Sequence, residues 1–275
     1  MNSLKFYKMQ GAGNDFVVID NRSMSLKINE IIALTPRLCD RRYGIGADGI
    51  LDLEQPQIEG VDFTMVYRNA DGSDAGMCGN GARCLAMFAA HHGMQSSLKF
   101  NVHDAIYIAD VNKKEHLVSV YFPDVASPKR IKIGNNKLIQ LYPGTEHVVC
   151  VVNKQRLEED DYLIKTGRNL RYSEALHPTG SNVNFITLNS DSSISLQTYE
   201  RGVENLTLAC GTGAIASAIA SHQLTNIKAD TYSKTVHVKG GQLNVRFKFD
   251  QSTNTYHQVA LTGPAKFVYE GFIHI

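Results

Sequence analysis

Tyr67–Ala82 reads YRNADGSDAGMCGNGA, and Tyr199–Ala214 reads YERGVENLTLACGTGA. The two stretches align without a gap, with Tyr, Cys, Gly, Gly and Ala coinciding. Cys210 follows Cys78 by 132 residues (210 − 78), about half of a 275-residue chain. Each copy reads as a strand, a loop, and then Cys-Gly-x-Gly-Ala opening a helix of small residues. Self-similarity at this separation predicts two similar domains, and at about 150 residues per domain the length also predicts two. A weaker echo pairs Gly13-Asn14-Asp15-Phe16 with Asn182-Val183-Asn184-Phe185.

The flanking sequence fills in an α+β chain rather than alternating βαβ units. Phe16–Ile19 and Phe63–Tyr67 read as strands, and further short strands fill about 98–123. Asn29 is expected to cap a helix carrying Ile31, Ile32, Leu34 and Leu38, with Pro36 disturbing its middle. The small-residue helix is expected from Gly81 to His92, with Gly93 as its stop. Pro123 and Pro128 bracket the crossing between domains. In the second half, strands are expected near 147–152 and 183–188. A helix follows near 213–224, then strands near 243–248 and 256–261. The expected division is 1–126, completed by 264–275, and 127–263.

Composition narrows the function classes. Hydrophobic residues make up 43% and charged residues 20%, with a formal net charge of +1. A binder of nucleic acid or of membrane surfaces acting mainly through charge is disfavoured. No apolar run reaches the ~18 residues of a membrane span, and the N-terminus lacks a secretory signal pattern, so a cytoplasmic location is expected. The five cysteines are odd in number and lack a Cys-x-x-Cys spacing. Neither a disulfide scaffold nor a metal site is therefore expected. The Asn21-Arg22-Ser23 and Asn205-Leu206-Thr207 sequons then read as chance matches. Gly44-x-Gly46-x-x-Gly49 has the letters of a dinucleotide fingerprint but follows a helix and precedes a strand, the reverse of the required context.

The duplicated cysteine turns carry chemistry. A thiol at a helix start sits beside N–H groups that have no intrahelical partner, at the positive end of the dipole, which favours thiolate. The same N–H groups suit a carboxylate, and glycine lets the backbone approach it closely. Two such helix starts facing one cleft would hold one carboxylate and set a sulfur on each side of the adjacent carbon. One sulfur would remove a proton and the other deliver one, the logic of a two-base racemase or epimerase. Cys39, Cys84 and Cys150 lie outside Gly-rich turns and read as packing residues.

The residues resemble the diaminopimelate epimerase family. The matching stretches are KMQGAGNDFVVID, RYGIGADGIL, RNADGSDAGMCGNGARC, YERGVENLTLACGTGA and TGPAKFVYEGFI, spread over essentially the whole chain. The resemblance implies two pseudo-symmetric domains, each a mixed sheet wrapped around a central helix, with the active site in the cleft between them. It implies interconversion of LL- and meso-2,6-diaminopimelate, in lysine and peptidoglycan precursor biosynthesis, by a homodimer without pyridoxal phosphate or another cofactor. The catalytic bases would fall on Cys78 and Cys210, supported by His147 and Glu200. Substrate-binding positions would be Asn14, Asn69, Gly79, Asn80, Thr145, Asn182, Glu200, Arg201, Gly211 and Thr212.

Two departures stand out. Where the family commonly shows Gly-Asn-Pro-His, this chain has Gly144-Thr145-Glu146-His147, so Thr145 replaces a substrate-binding asparagine and Glu146 adds a carboxylate beside the histidine. Gly49 stands where some members carry a side-chain amide. Both concern the distal end of the substrate rather than proton transfer. The competing readings are a related amino-acid racemase with another substrate, as among the proline racemase-like enzymes, and a thiol-based ligand-binding or redox-sensing protein. Phenazine-biosynthesis isomerases lack the cysteine pair, which argues against them.

Overall fold

A computed structural model describes residues 3–24, 26–225 and 229–275. The chain divides into two compact units, residues 1–120 with 263–275, and residues 121–262. Among the described residues, no helix is long and apolar enough to cross a membrane, and no cluster of three or more His, Cys, Asp or Glu could hold a metal ion.

In the first unit, β1 (Ser3–Gly11) turns back into β2 (Asn14–Asp20) through Ala12 and Gly13. Both turn residues have positive φ, +55° and +87°, the twist a two-residue hairpin requires. After the short α1 (Asn21–Met24), α2 (Ile28–Cys39) crosses over to β3 (Gly49–Glu54), which lies parallel to β2. The α2 helix starts from Lys27 rather than Asn29, because the Glu30 carboxylate accepts from the Lys27 N–H at 2.7 Å. It also runs on through Pro36 to Cys39. Next, β4 (Phe63–Asn69) pairs antiparallel with β3. After α3 (Gly79–His91), β5 (Ser97–Val102) joins β4 in parallel, and β6 (Ala105–Asn112) pairs antiparallel with β5. Beyond β7 (Leu117–Tyr121) the chain leaves the unit; a final strand, Lys266–His274, returns antiparallel to β1.

The second unit begins with β8 (Val125–Ala126), β9 (Lys129–Ile133) and β10 (Asn136–Leu141). From there it repeats the same order. Antiparallel to β10 runs β11 (His147–Val151). The crossover holds α4 (Lys154–Leu157) and α5 (Asp160–Arg171), and leads to β12 (Asn182–Leu188), parallel to β11. Then come antiparallel β13 (Ile194–Glu200) and the short β14 (Asn205–Thr207). Helix α6 (Gly211–Thr225) precedes β15 (Tyr232–Val238), which is parallel to β13. The antiparallel strands β16 (Gly241–Asp250) and β17 (Thr255–Pro264) complete the unit. Matching element for element, β2-α2-β3-β4-α3-β5-β6 corresponds to β11-α5-β12-β13-α6-β15-β16. The sequence reading did not identify α5, although Leu163, Ile164, Gly167 and Leu170 share one helical face and the charges suit its ends, acidic at 160–161 and basic at 168 and 171.

The two central helices explain the wrapping. Every α3 residue from Gly79 to Ala90 is buried, Asn80 and Arg83 included. In α6, Gly211 and Gly213–His222 are buried. A helix buried all round has no solvent stripe and must be enclosed. Small residues let the strands close on it: a Cβ on Gly81 would lie 2.9 Å from Leu51 Cδ2, and one on Gly213 would lie 2.5 Å from Asn184 Oδ1. The crossover helices cover the opposite sheet faces. The α2 helix packs Leu38 and Cys39 against Val17, Ile19 and Ile50. The α5 helix packs Leu163 and Leu170 against Val148, Phe185 and Tyr199.

The register corrects two details of the repeat. Asn14 opens β2, whereas Asn182 opens β12, the counterpart of β3, so the Gly13–Phe16 echo does not join equivalent strands. The gapless cysteine alignment also conceals a slip of one residue. Leu51, opposite Tyr67, faces α3, whereas Asn184, opposite Thr198, faces α6. Tyr67 therefore corresponds to Thr198. Tyr199 points to the other face, where a Cβ on Gly167 of α5 would stand 2.6 Å from its own. Eleven residues separate Tyr67 from Cys78 and twelve separate Thr198 from Cys210, so one extra loop residue offsets the slip.

That contact generates a test. Gly167→Ala should destabilise the second unit by about 1–3 kcal/mol, the usual cost of overpacking against a side chain that cannot retreat. Denaturant unfolding would measure it, and an unchanged midpoint would count against the packing described.

Candidate functional site

The two cysteine turns are built alike. Cys78 caps α3 with extended backbone (φ −118°, ψ 115°), and its Sγ accepts from the Gly81 N–H at 3.4 Å. The helical ladder opens with Ala82 N–H to the Cys78 carbonyl at 2.8 Å and, in α6, with Ala214 N–H to the Cys210 carbonyl at 2.9 Å. Gly79-Asn80 and Gly211-Thr212 thus hold the N–H groups that precede each ladder, where an anion is favoured. Cys78 is half-buried and Cys210 buried, and neither is in a disulfide.

Around Cys78, the thiol donates to Asn14 Oδ1 at 3.8 Å, and Asn80 Nδ2 donates to the same oxygen at 3.4 Å. Asn14 Nδ2 donates to the Asp48 carboxylate, which fixes the amide's orientation. Arg41 bridges Asp48 at 2.8 Å and Asp15 at 2.7 Å, and Lys8 reaches Asp15 at 2.6 Å. Burial would raise the Asp15 pKa, but hydrogen bonds and charge from Arg41 and Lys8 outweigh it and bring it down to about 2. Fully buried Arg83 donates to Asn80 Oδ1 at 2.8 Å, Gly79 O at 3.2 Å and Pro264 O at 3.3 Å, so it braces the start of α3. Asn69 donates to Ser73 Oγ at 3.0 Å within its own turn.

Around Cys210, the hydroxyl and imidazole that link to the sulfur, Thr212 and His147, are deeper. Its Sγ lies 3.7 Å from Thr212 Oγ1, which lies 2.9 Å from Nε2 of fully buried His147. Thr145 Oγ1 sits 3.0 Å from the same nitrogen, so the hydroxyl replacing the family's asparagine faces the histidine. Asn182 Nδ2 donates to Thr145 Oγ1 and Glu146 O, and its Oδ1 accepts from Arg201 N–H at 2.9 Å, tying the 145–146 loop to the end of β13. The Arg201 guanidinium pairs with Glu146 Oε2 at 2.8 Å. Glu200 ends β13 beside it, partly exposed. Sequence reasoning missed the inward partners, Asn184 and Thr198 around His147, and Asp48 and Arg41 around Asn14. The signal for the first two was polar residues inside apolar strands.

The comparisons agree over the whole chain. The family model described as "Diaminopimelate epimerase" matches residues 6–121 and 140–268. A diaminopimelate epimerase of Flavobacterium psychrophilum is 38% identical over 268 residues, covering 97% of this chain and 99% of the relative. One of Aquifex aeolicus is 35% identical over 280 residues, covering 98% and 97%. Among solved structures, a Bacillus anthracis phenazine biosynthesis protein of the PhzF family has a TM-score of 0.76 at 14% identity, with both chains fully covered. An Agrobacterium vitis hydroxyproline epimerase has 0.70 at 13%, covering 98% of this chain and 92% of that one. At such identities these structures establish the shared fold.

Burial drives the His147 pKa down to about 3, with the Arg201 charge adding to it. In the unfolded chain the histidine takes up a proton below its ordinary 6.5, so stability falls as pH drops from about 6.5 towards 3. By linkage this single group is worth about 2 kcal/mol at pH 5. His147→Gln should lose about that much of the protein's acid sensitivity between pH 7 and pH 5, measured as the change in denaturant midpoint; equal sensitivity in both proteins would contradict it.

Proposed function

The chain belongs to the diaminopimelate epimerase family, and on that premise we propose that it inverts the α-carbon of LL-2,6-diaminopimelate to the meso form and back. The observation that carries this reading is the pair of equivalent Cys-Gly-x-Gly-Ala helix starts, one per unit. In the proposed mechanism both serve one stereocentre. The substrate carboxylate accepts from N–H groups at Gly79-Asn80 and Gly211-Thr212, which stabilise the charge that develops when the Cα–H bond breaks. One sulfur, as thiolate, takes the Cα proton and becomes a thiol. The other thiol gives its proton to the opposite face and becomes the thiolate. Protons balance, the stereocentre inverts, and the reverse direction exchanges the roles.

Asn14, Asn69, Thr145, Asn182, Glu200 and Arg201 are proposed to line the substrate. Arg201 holds Glu146 through Nη1, which leaves its Nε and Nη2 donors to fork onto the distal carboxylate. The reading includes a homodimer in the cytoplasm, serving lysine and peptidoglycan precursor supply, and requires no pyridoxal phosphate.

Cys78→Ala and Cys210→Ala should each lower epimerisation by about 10²–10⁴-fold, the typical value of a positioned acid or base. The assay is deuterium entry at Cα from heavy water together with loss of optical purity, run on diaminopimelate and on a panel of other amino acids. Near wild-type turnover in either variant overturns the two-base reading. Inversion of another amino acid but not of diaminopimelate overturns the substrate.

A further inference from the structure

We infer that Glu146 is a specificity-determining residue: its carboxylate, paired with Arg201, receives the second ammonium group of a diamino diacid while Arg201 holds the carboxylate on the same carbon.

Asn182, at the start of β12, builds the frame. Its two N–H groups donate to Thr145 Oγ1 at 3.3 Å and Glu146 O at 3.2 Å, and its Oδ1 accepts from the Arg201 N–H at 2.9 Å. The amide is thereby fully used, and it ties the loop before β11 to the end of β13. Two charged side chains leave those tied backbones and meet. Arg201 Nη1 lies 2.8 Å from Glu146 Oε2 and 3.3 Å from Thr179 O. The arginine side chain is 29% exposed and the glutamate 33%, so both reach a ligand without leaving their partner. Among the described residues, Glu146 Oε1 and the Nε–Nη2 edge of Arg201 have no hydrogen-bond partner.

The charge pair stands close to the Cys210 turn. Thr145, next to Glu146, lies 3.0 Å from His147 Nε2, which lies 2.9 Å from Thr212 Oγ1, itself 3.7 Å from Cys210 Sγ. The helix start at Gly211-Thr212 suits one carboxylate, that of the reacting end. Diaminopimelate has a second amino-acid end, with an ammonium and a carboxylate on one carbon. The guanidinium edge matches that carboxylate, and Glu146 Oε1 matches the ammonium. An end bearing a carboxylate alone sets two carboxylates on one guanidinium and leaves Oε1 unmatched, so the pair also selects against it. Glu146 stands where the family commonly shows proline, which has no side-chain acceptor. The carboxylate therefore belongs to this chain rather than to the shared motif.

The role assigned to Glu146 rests on the epimerase reading, which supplies the substrate, and its test separates the two. Equilibrium dialysis of the full-length protein compares the equilibrated LL and meso mixture of diaminopimelate with 2-aminopimelate, which lacks the second amino group. The wild type should bind diaminopimelate about 10-fold tighter or more, the value of one hydrogen bond between charged groups. Glu146→Gln should bring the two ligands to within about threefold by weakening diaminopimelate alone. Retained binding of 2-aminopimelate shows that the variant is folded and that Arg201 is in place. A wild type without preference, a preference unchanged in Glu146→Gln, or an equal loss of both ligands overturns the inference, the last because Glu146 would then only brace Arg201. A wild type that binds neither diacid overturns both readings. Bound diaminopimelate whose Cα hydrogen does not exchange in heavy water overturns the epimerase reading alone.

Discussion

A helix buried on every side cannot lie on a surface, and both central helices are of this kind. Enclosing one takes strands around it, and enclosure is close only where the helix offers glycine and alanine. The glycines at 81 and 213 stand under strand side chains at distances that leave no room for a Cβ. The same constraint brings the N-terminus of each helix, with the N–H groups that lie outside the helical ladder, to the end of the enclosing sheet. Cys78 and Cys210 occupy that end because the turn into such a helix is the point at which the backbone emerges from the core. Fold and chemistry thus share one cause: the small residues that let the sheet close also bring the N–H groups within reach of a ligand.

The parts legible in the sequence were those encoded locally. The repeated Cys-Gly-x-Gly-Ala, the extent of α3, and the Gly93 stop with φ +96° all follow from neighbours in the chain. What escaped was fixed by pairing across strands. Two tyrosines in the same column of the alignment lie on opposite sheet faces, because one loop holds an extra residue and nothing local marks where. The Asn14 and Asn182 segments look alike because each begins a strand with an amide, yet their strands are not counterparts. The start of α2 depends on Glu30 reaching back to Lys27, which a reading keyed to Asn29 overlooked. Of the site, the cysteines and the amide and guanidinium groups were visible as motif letters. The residues that orient them sit on a neighbouring strand, as Asn184 and Thr198 do, or in the loop before β3, as Arg41 and Asp48 do, and were not.

The slip has a chemical effect. On the sheet face towards the central helix, the first unit has Leu51 and Tyr67 where the second has Asn184 and Thr198. In the first unit Leu51 and the Tyr67 ring, edge-on to Phe16, pack there, whereas the amide–hydroxyl pair of the second contacts a buried ring. The first unit therefore fixes its cysteine's neighbour from outside, by the partly exposed chain Asn14–Asp48–Arg41–Asp15. The second fixes its own from within, by neutral groups. A duplicated scaffold need not duplicate its polar interior, and two thiols at equivalent helix starts here meet different partners.

That difference bears on the proposed two-base reaction, in which each sulfur acts in both directions. In that proposed reaction each sulfur has to exist as thiol and as thiolate within a narrow range of free energy, so strong stabilisation of either form would slow turnover in both directions. A histidine free to become imidazolium beside Cys210 would hold a thiolate–imidazolium pair, as in cysteine nucleophiles with strongly lowered pKa. A neutral hydroxyl donor is a weaker and more even influence, because it can donate to the thiolate or accept from the thiol with a rotation of one bond. The His147 ring is buried, its Nδ1 lies 2.9 Å from the Asn184 amide, and Thr212 stands between its Nε2 and the Cys210 sulfur. In a reaction whose two directions share the same pair of thiols, as proposed here, an even influence on both protonation states keeps both directions fast.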